Sequence, residues 1–290
     1  MAQSAEAHTT TQENHALHFL VIGAMRAGTT TLHDTLCKLP SLSLPRIKET
    51  DFFIESKNWP RGRKWYLSHF SGESRRLRGE VCPNYAKRDV FPEVPGLVAD
   101  TNPDVRIIYI VRDPLERALS HYRHTWLSSG DLPEPGNLDG TWAEKHILAT
   151  SRYAWQMEAW LKHFRQDQIL IIDFEDFVKR PLPQVQSLVE HIGAEIPAQI
   201  EQIAENNTAA DVARMPRWWH SFRNTPAGIK ARALAPTGLV QAVKSRLKHK
   251  DGPDVPPFPA AVKKRFADAL AADASAFRKL TGQDFESWSV

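Results

Sequence analysis

The segment His18 to Leu39, HFLVIGAMRAGTTTLHDTLCKL, decides how the rest of the chain is read. A short apolar run leads through Gly23 and Gly28 into a stretch where Leu32, Leu36 and Leu39 recur at helical spacing. That order is strand, glycine-containing loop, helix. The two glycines stand in the G-x-x-x-x-G spacing of a phosphate-binding loop. They let backbone N–H groups approach an anion, and the helix N-terminus adds a partial positive charge at the same place. Thr29, Thr30 and Thr31 add hydroxyls in the first turn. Thr29 stands where the nucleoside-triphosphatase pattern has its lysine, so the usual β/γ-phosphate grip is missing and Arg26 is the loop's own cation. On two glycines alone, a plain strand-to-helix turn explains the segment as well.

Further along, Val105 to Val111 (VRIIYIV) reads as a buried strand, followed by Arg-Asp-Pro and the helical run ALSHYRHTWL, with Pro114 in a first turn where it is tolerated. A third apolar run, Gln168 to Ile172, follows the amphipathic segment Tyr153 to Phe164. Strands separated by helices predict βαβ units: an α/β fold with a P-loop-like central parallel sheet flanked by helices. Pro40 to Pro95 and Gly130 to Gly140 read as long connections, which in compact domains usually carry function. Arg112 at the end of the second strand and Ser120 on the following helix are placed to converge on one anion. An Arg-Asp-Pro helix start with Asp113 as cap accounts for the same residues.

The composition sets outer limits. With 42% hydrophobic and 24% charged residues in 290, the chain has material for a large core, and fibrous or wholly disordered readings are excluded. The balance of 37 basic and 34 acidic residues lies far from that of a dedicated nucleic-acid binder, so any anion must be gripped locally. Phe19 to Met25 is too short for a membrane span and no signal peptide is read, which together with only two cysteines predicts a cytoplasmic protein. Residues 1–16 read as a flexible leader and residues 17–290 as one domain. Lys230, Arg232, Lys244, Arg246, Lys248 and Lys250 form a basic stretch, read as a solvated face, with an anion- or membrane-facing helix as the alternative. His121 and His124, like His15 and His18, are spaced i, i+3 without a familiar ligand pattern, and no metal site is assigned.

Five segments in order, IGAMRAGTTTL, KETDFF, GEVCPNY, RIIYIVRDPLERALSHY and SRYAWQMEAWLKHF, together with the late RKLTGQDFESW, give the chain its clearest affinity. It resembles the sulfotransferases that use 3′-phosphoadenosine 5′-phosphosulfate, with the closest likeness to the heparan sulfate N- and O-sulfotransferase group and its bacterial relatives. The resemblance covers most of Phe19 to Ala194. It implies that the phosphosulfate is the donor, that adenosine 3′,5′-bisphosphate is the product, and that no metal is needed.

By the same resemblance, Arg26, Ala27, Gly28, Thr29, Thr30 and Thr31 form the loop that holds the 5′-phosphosulfate, with Arg26 in place of a lysine. Arg112 and Ser120 fall on the pair that binds the 3′-phosphate, and Tyr153 lies in the segment that approaches the nucleotide. Glu49 falls on the general base of the carbohydrate branch, and its neighbour Lys48 is read as a further catalytic cation. Glu80, Tyr85 and Trp126 are assigned to the acceptor side by segment position. One departure concerns Val81, where heparan-type members usually carry a lysine. Either Lys48 or Arg26 supplies that charge, or the acceptor is not a heparan chain. The opening and the catalytic histidine of the small-molecule cytosolic branch are also absent.

The acceptor class stays open among a small molecule, a lipid and a carbohydrate, as do O- against N-transfer and the oligomeric state. A P-loop kinase or hydrolase, with Asp173, Glu175 and Asp176 as its acidic strand end, and a non-catalytic anion- or glycan-binding protein remain the alternatives. Of the nine tryptophans, Trp155 and Trp160 read as packing. Trp59, Trp126, Trp218 and Trp219 fall in or beside the loops where an acceptor would enter.

Overall fold

The structure is a computed structural model that describes residues 17–70, 76–129, 132–205 and 255–290. The leader, Trp218, Trp219 and the basic stretch from Lys230 to Lys250 lie outside the described residues. Strands β1 (Phe19–Gly23), β2 (Leu42–Ser43), β3 (Leu77–Val81), β4 (Arg106–Val111) and β5 (Ile169–Asp173) form one sheet in the order β2-β3-β1-β4-β5. Every pairing is parallel, with Phe19 opposite Gly79 on one side and Arg106 on the other.

The central strands read as unbroken apolar runs because both of their faces are covered. Leu20, Ile22 and Tyr109 face one core, and Phe19, Val21, Ile108 and Ile110 face the other. Among the described residues the helices are α1 (Thr29–Leu36), α2 (Gly62–Leu67), α3 (Val94–Thr101), α4 (Pro114–Ser129), α5 (Trp142–Ala149), α6 (Tyr153–Trp160), α7 (Phe174–Lys179), α8 (Pro181–His191), α9 (Ile200–Glu205) and α10 (Ala260–Thr281). Leu32 and Leu36 of α1 pack with Val185 and Leu188 of α8 on one face, and Tyr153 and Trp160 of α6 pack with Phe277 of α10 on the other. Gly282 ends α10 in the left-handed conformation, its N–H returning to the Arg278 carbonyl. The aromatic end of the chain then folds back, with Trp288 stacked 4.2 Å from Phe285 and lying against Tyr153. No described helix is long and apolar enough to cross a membrane.

Three of the five described strands carry an apolar signal in the sequence; the other two, β2 and β3, lie in the stretch Pro40 to Pro95 that reads as connection. Strand β3, LRGEV, has a glycine and a carboxylate where an apolar run would be expected. Both have a packing reason. A Cβ on Gly79 would lie 2.1 Å from the ring of Phe19, so the glycine makes room for a core phenylalanine. Gly79→Ala is expected to destabilise the protein by at least about 1–3 kcal/mol through overpacking. Denaturant unfolding measures this, and an unchanged midpoint would show that Phe19 moves aside freely.

Candidate functional site

The carboxyl ends of β3, β1 and β4 lie side by side, and each continues into one of the segments singled out above. Such an edge of an open parallel sheet is where α/β folds bind ligands. After β1, the Ala24 N–H bonds the Ile110 carbonyl of β4 at 2.6 Å, which ties the loop to the sheet. Arg26 (φ 73°) and Gly28 (φ 86°) are both left-handed. At Gly28 the requirement is double, since a Cβ would also lie 2.6 Å from the Phe174 ring. As N-cap of α1, Gly28 has no side chain to occupy the first-turn N–H groups, which leaves them for an anion. Ala27 is sealed in the core and Thr29 nearly so, whereas Thr30 is open to solvent and Thr31 half-buried. Thr30 and Thr31 are therefore the more accessible hydroxyls of the loop.

The structure brings Arg26, Ser120 and Arg112 together. Arg26 Nε donates to Ser120 Oγ at 3.2 Å, joining the loop after β1 to α4 across 94 residues of chain. Although much of its side chain meets solvent, partial burial and then the like charge of Arg112 lower the Arg26 pKa. Two guanidinium groups near enough to repel each other form a site that an anion would relieve. Arg112 lies 5.3 Å from the Phe174 ring centre, and its Nη2 is 3.6 Å from the Glu116 carboxylate. Its Nε is buried without a hydrogen-bond partner among the described residues, a donor left for something else. Tyr153 sits beneath, fully buried, its hydroxyl accepting from the Arg112 N–H at 3.4 Å. The ring thus supports the arginine from below.

On the other side of the phosphate loop, the segment KETDFF is pinned to the end of β3. Asp51 accepts from Asn84 Nδ2 at 2.8 Å and from the Cys82 thiol at 3.2 Å, and pairs with Lys57 at 2.6 Å. Glu49 (φ 62°) and Asp51 (φ 51°) are left-handed, so the turn is a tight one for side-chain-bearing residues. Lys48 Nζ donates to Glu49 Oε1, and the Glu49 side chain keeps 35% of its surface exposed. Lys48 and Glu49 are therefore one paired unit at the sheet edge.

Glu80 and Tyr85, expected on the acceptor side, are instead sealed beneath this turn at 0% and 1% exposure. Glu80 Oε1 accepts from both the N–H and the hydroxyl of Thr50 at 2.6 Å, and its Oε2 accepts from Tyr66 and Tyr85 at 3.0 Å each. Trp126 is half-buried and stacks on Tyr122 at 5.8 Å, and its contacts are those of packing on α4. Trp59 packs against Phe52 and Phe53. Val81 lies in the core at 1% exposure, far from offering a cation. Cys82 and His121 are buried packing residues; burial pushes the Cys82 thiol up and His121 well down.

Sequence reading missed the anchors Thr50, Asp51, Tyr66 and Arg117. The last is fully buried on α4, bonded to Ser151 Oγ at 2.7 Å and the Ile147 carbonyl at 2.6 Å. Burial brings its pKa down to about 10. The only advance sign was its place in the segment RDPLERALSHY. Asp173, a candidate in the kinase alternative, caps α7 by accepting from the Glu175 N–H at 2.8 Å. Among the described residues, no group of three or more His, Cys, Asp and Glu side chains is placed to hold a metal ion.

Burial raises the Glu80 carboxyl from 4.5 to about 7, against the opposing pull of its four hydrogen bonds. A carboxyl that holds its proton more tightly folded than unfolded stabilises the fold below pH 4.5, and that contribution is lost as pH rises to 7. Relative to Glu80→Gln, the native protein is expected to lose roughly 3 kcal/mol across that window. Parallel denaturation curves for the two proteins at pH 5 and pH 8 would contradict this.

Residues 17–214 match the family model described as "Sulfotransferase domain". The chain is 29% identical over 196 residues to the mouse bifunctional heparan sulfate N-deacetylase/N-sulfotransferase 4, a match covering 62% of this chain and 22% of that protein. To mouse heparan sulfate glucosamine 3-O-sulfotransferase 5 it is 27% identical over 194 residues, covering 63% and 54%. The chain thus spans about half or less of the length of these relatives. Among solved structures it resembles a sulfotransferase from Alicyclobacillus acidocaldarius, with TM-score 0.64 and 19% identity over 94% of this chain and 99% of that one. It also resembles a sulfotransferase domain from the curacin biosynthetic pathway, with TM-score 0.50 and 14% identity over 88% and 97%. These two likenesses concern the fold.

Proposed function

The chain belongs to the sulfotransferase domain family, and from that premise we propose that it transfers the sulfuryl group of 3′-phosphoadenosine 5′-phosphosulfate to a hydroxyl or amine. The observation that carries this reading is the meeting of Arg26, Ser120 and Arg112 at the sheet edge, with the paired Glu49 and Lys48 in the turn tied to the end of the neighbouring strand β3. In this reading Arg112 and Ser120 take the 3′-phosphate. The loop amides, Thr30, Thr31 and Arg26 take the 5′-phosphosulfate.

Sulfuryl transfer is in-line displacement between two oxygens, or from oxygen to nitrogen, so catalysis rests on positioning and charge stabilisation. Glu49 takes the proton of the acceptor O–H or N–H as its lone pair closes on sulfur. Its Oε1 is held by Lys48, which leaves Oε2 for that proton. Arg26 and the loop amides stabilise the negative charge that grows on the departing 5′-phosphate as the bond from sulfur to the bridging oxygen breaks. Lys48 contributes through Glu49, since its ammonium is already engaged there. The acceptor is a small molecule, lipid or carbohydrate, with no role for nucleic acid.

The test is transfer of label from sulfur-labelled donor to a set of hydroxyl and amine acceptors in the presence of chelator. Labelled product together with stoichiometric adenosine 3′,5′-bisphosphate is expected. Transfer of the γ-phosphoryl group of ATP with magnesium, and no sulfuryl transfer, would establish the kinase alternative instead.

A further inference from the structure

The buried carboxylate of Glu80 bonds Thr50, the residue directly after the proposed base, yet nothing in the transfer step uses it. It is also costly: a carboxylate at 0% exposure loses its water, and only specific hydrogen bonds offset that loss. Those bonds converge from three separate segments. Tyr66 comes from α2, Tyr85 from the turn after β3, and Thr50 from the KETDFF turn with both its N–H and its hydroxyl. The shortest of the four, at 2.6 Å, are the two to Thr50.

Thr50 in turn fixes the turn around it. Its hydroxyl accepts from the Phe52 N–H at 3.2 Å, and its carbonyl accepts from Asn58 Nδ2 at 2.7 Å. Glu49, directly before it, and Asp51, directly after it, are both left-handed, a conformation disfavoured for such residues unless the surroundings impose it. Thr50 is the buried point between them, at 1% exposure. The direction in which Glu49 leaves the backbone is therefore set by the bond pair from Thr50 to Glu80.

We infer that Glu80 is a positioning residue for the transfer reaction: through Thr50 it holds the left-handed turn that aims Glu49 at the acceptor. This rests on the reading of Glu49 as the base. A misplacement of about 1 Å can cost roughly 10²-fold in rate, so the consequence is large although neither residue touches substrate.

The test compares Thr50→Val, which removes the hydroxyl but keeps the size, with Thr50→Ser, which keeps the hydroxyl. Glu80→Asp, which keeps the carboxyl group but withdraws it by one methylene, is the second variant. Thr50→Val and Glu80→Asp are expected to lower kcat by about 10- to 100-fold, with KM for the donor within about two-fold, and Thr50→Ser to restore most of the rate. In a Glu49→Gln background, Thr50→Val should cost nothing further, because the group it aims is already gone. An equal loss in both backgrounds, or full kcat in a folded Thr50→Val and a folded Glu80→Asp protein, overturns the inference. Full activity of Glu49→Gln alone would instead show that the base is misassigned, which separates the two failures.

Discussion

Replacing Glu49 with glutamine is expected to lower turnover by about 10²- to 10⁴-fold, the range a positioned general base contributes, while affinity for adenosine 3′,5′-bisphosphate stays as it was. The amide keeps the size of the carboxylate and can still accept from Lys48, so the turn should hold its form. The ion pair is partly exposed on the Glu49 side, and the hydrogen bond from Lys48 to the amide oxygen keeps its ammonium partnered, so the loss of stability should be small. What the amide cannot do is accept the acceptor's proton. The loss should therefore fall on kcat and leave donor binding alone, because the donor grips belong to other segments. Steady-state rates at saturating donor and a separate bisphosphate titration measure the two quantities. A fall in bisphosphate affinity matching the fall in rate would place Glu49 in the donor site.

Arg112→Ala should show the opposite division. The guanidinium approaches that of Arg26 and has a buried Nε with no partner among the described residues, so it is held ready for an anion. Hydrogen bonds to charged groups are worth about 1.5–3 kcal/mol each. Losing one to two of them corresponds to a bisphosphate dissociation constant roughly 10- to 10⁴-fold weaker. Stability without ligand should change little or rise slightly, because the substitution removes a like-charge neighbour of Arg26. Calorimetric titration and thermal unfolding measure both. A large loss of unliganded stability with unchanged affinity would make Arg112 a structural residue.

The parts of the fold legible in the sequence were those whose burial is apolar. β1, β4 and β5 lie in the middle or against covered faces of the sheet, and their runs of Val, Ile and Leu carry a direct signal. β3 was not legible, because its two defining residues are buried for reasons outside their own segment. Gly79 is shaped by the Phe19 ring and Glu80 by donors from residues 50, 66 and 85. A carboxylate is read as exposed unless its partners are known.

The same distinction runs through the site. The phosphate loop and the strand-end arginine could be read locally, since glycine spacing and strand context are local. Their convergence could not, because the contact of Arg26 with Ser120 depends on β1 and β4 being neighbours in the sheet. Glu80 and Tyr85 were drawn toward the acceptor by their place in the chain. Their burial and their bonds place them beneath the turn, Glu80 accepting from Thr50 and Tyr85, rather than on an open surface.

Isothermal titration of adenosine 3′,5′-bisphosphate in chelator, into the native protein, Arg112→Ala and Glu49→Gln, decides whether Arg112 and its neighbours form a donor site. One site per chain is expected, which binds without metal, equally well in Glu49→Gln, and is much weakened in Arg112→Ala. Absence of binding to the native protein, or binding of ATP that requires magnesium and excludes the bisphosphate, would contradict it.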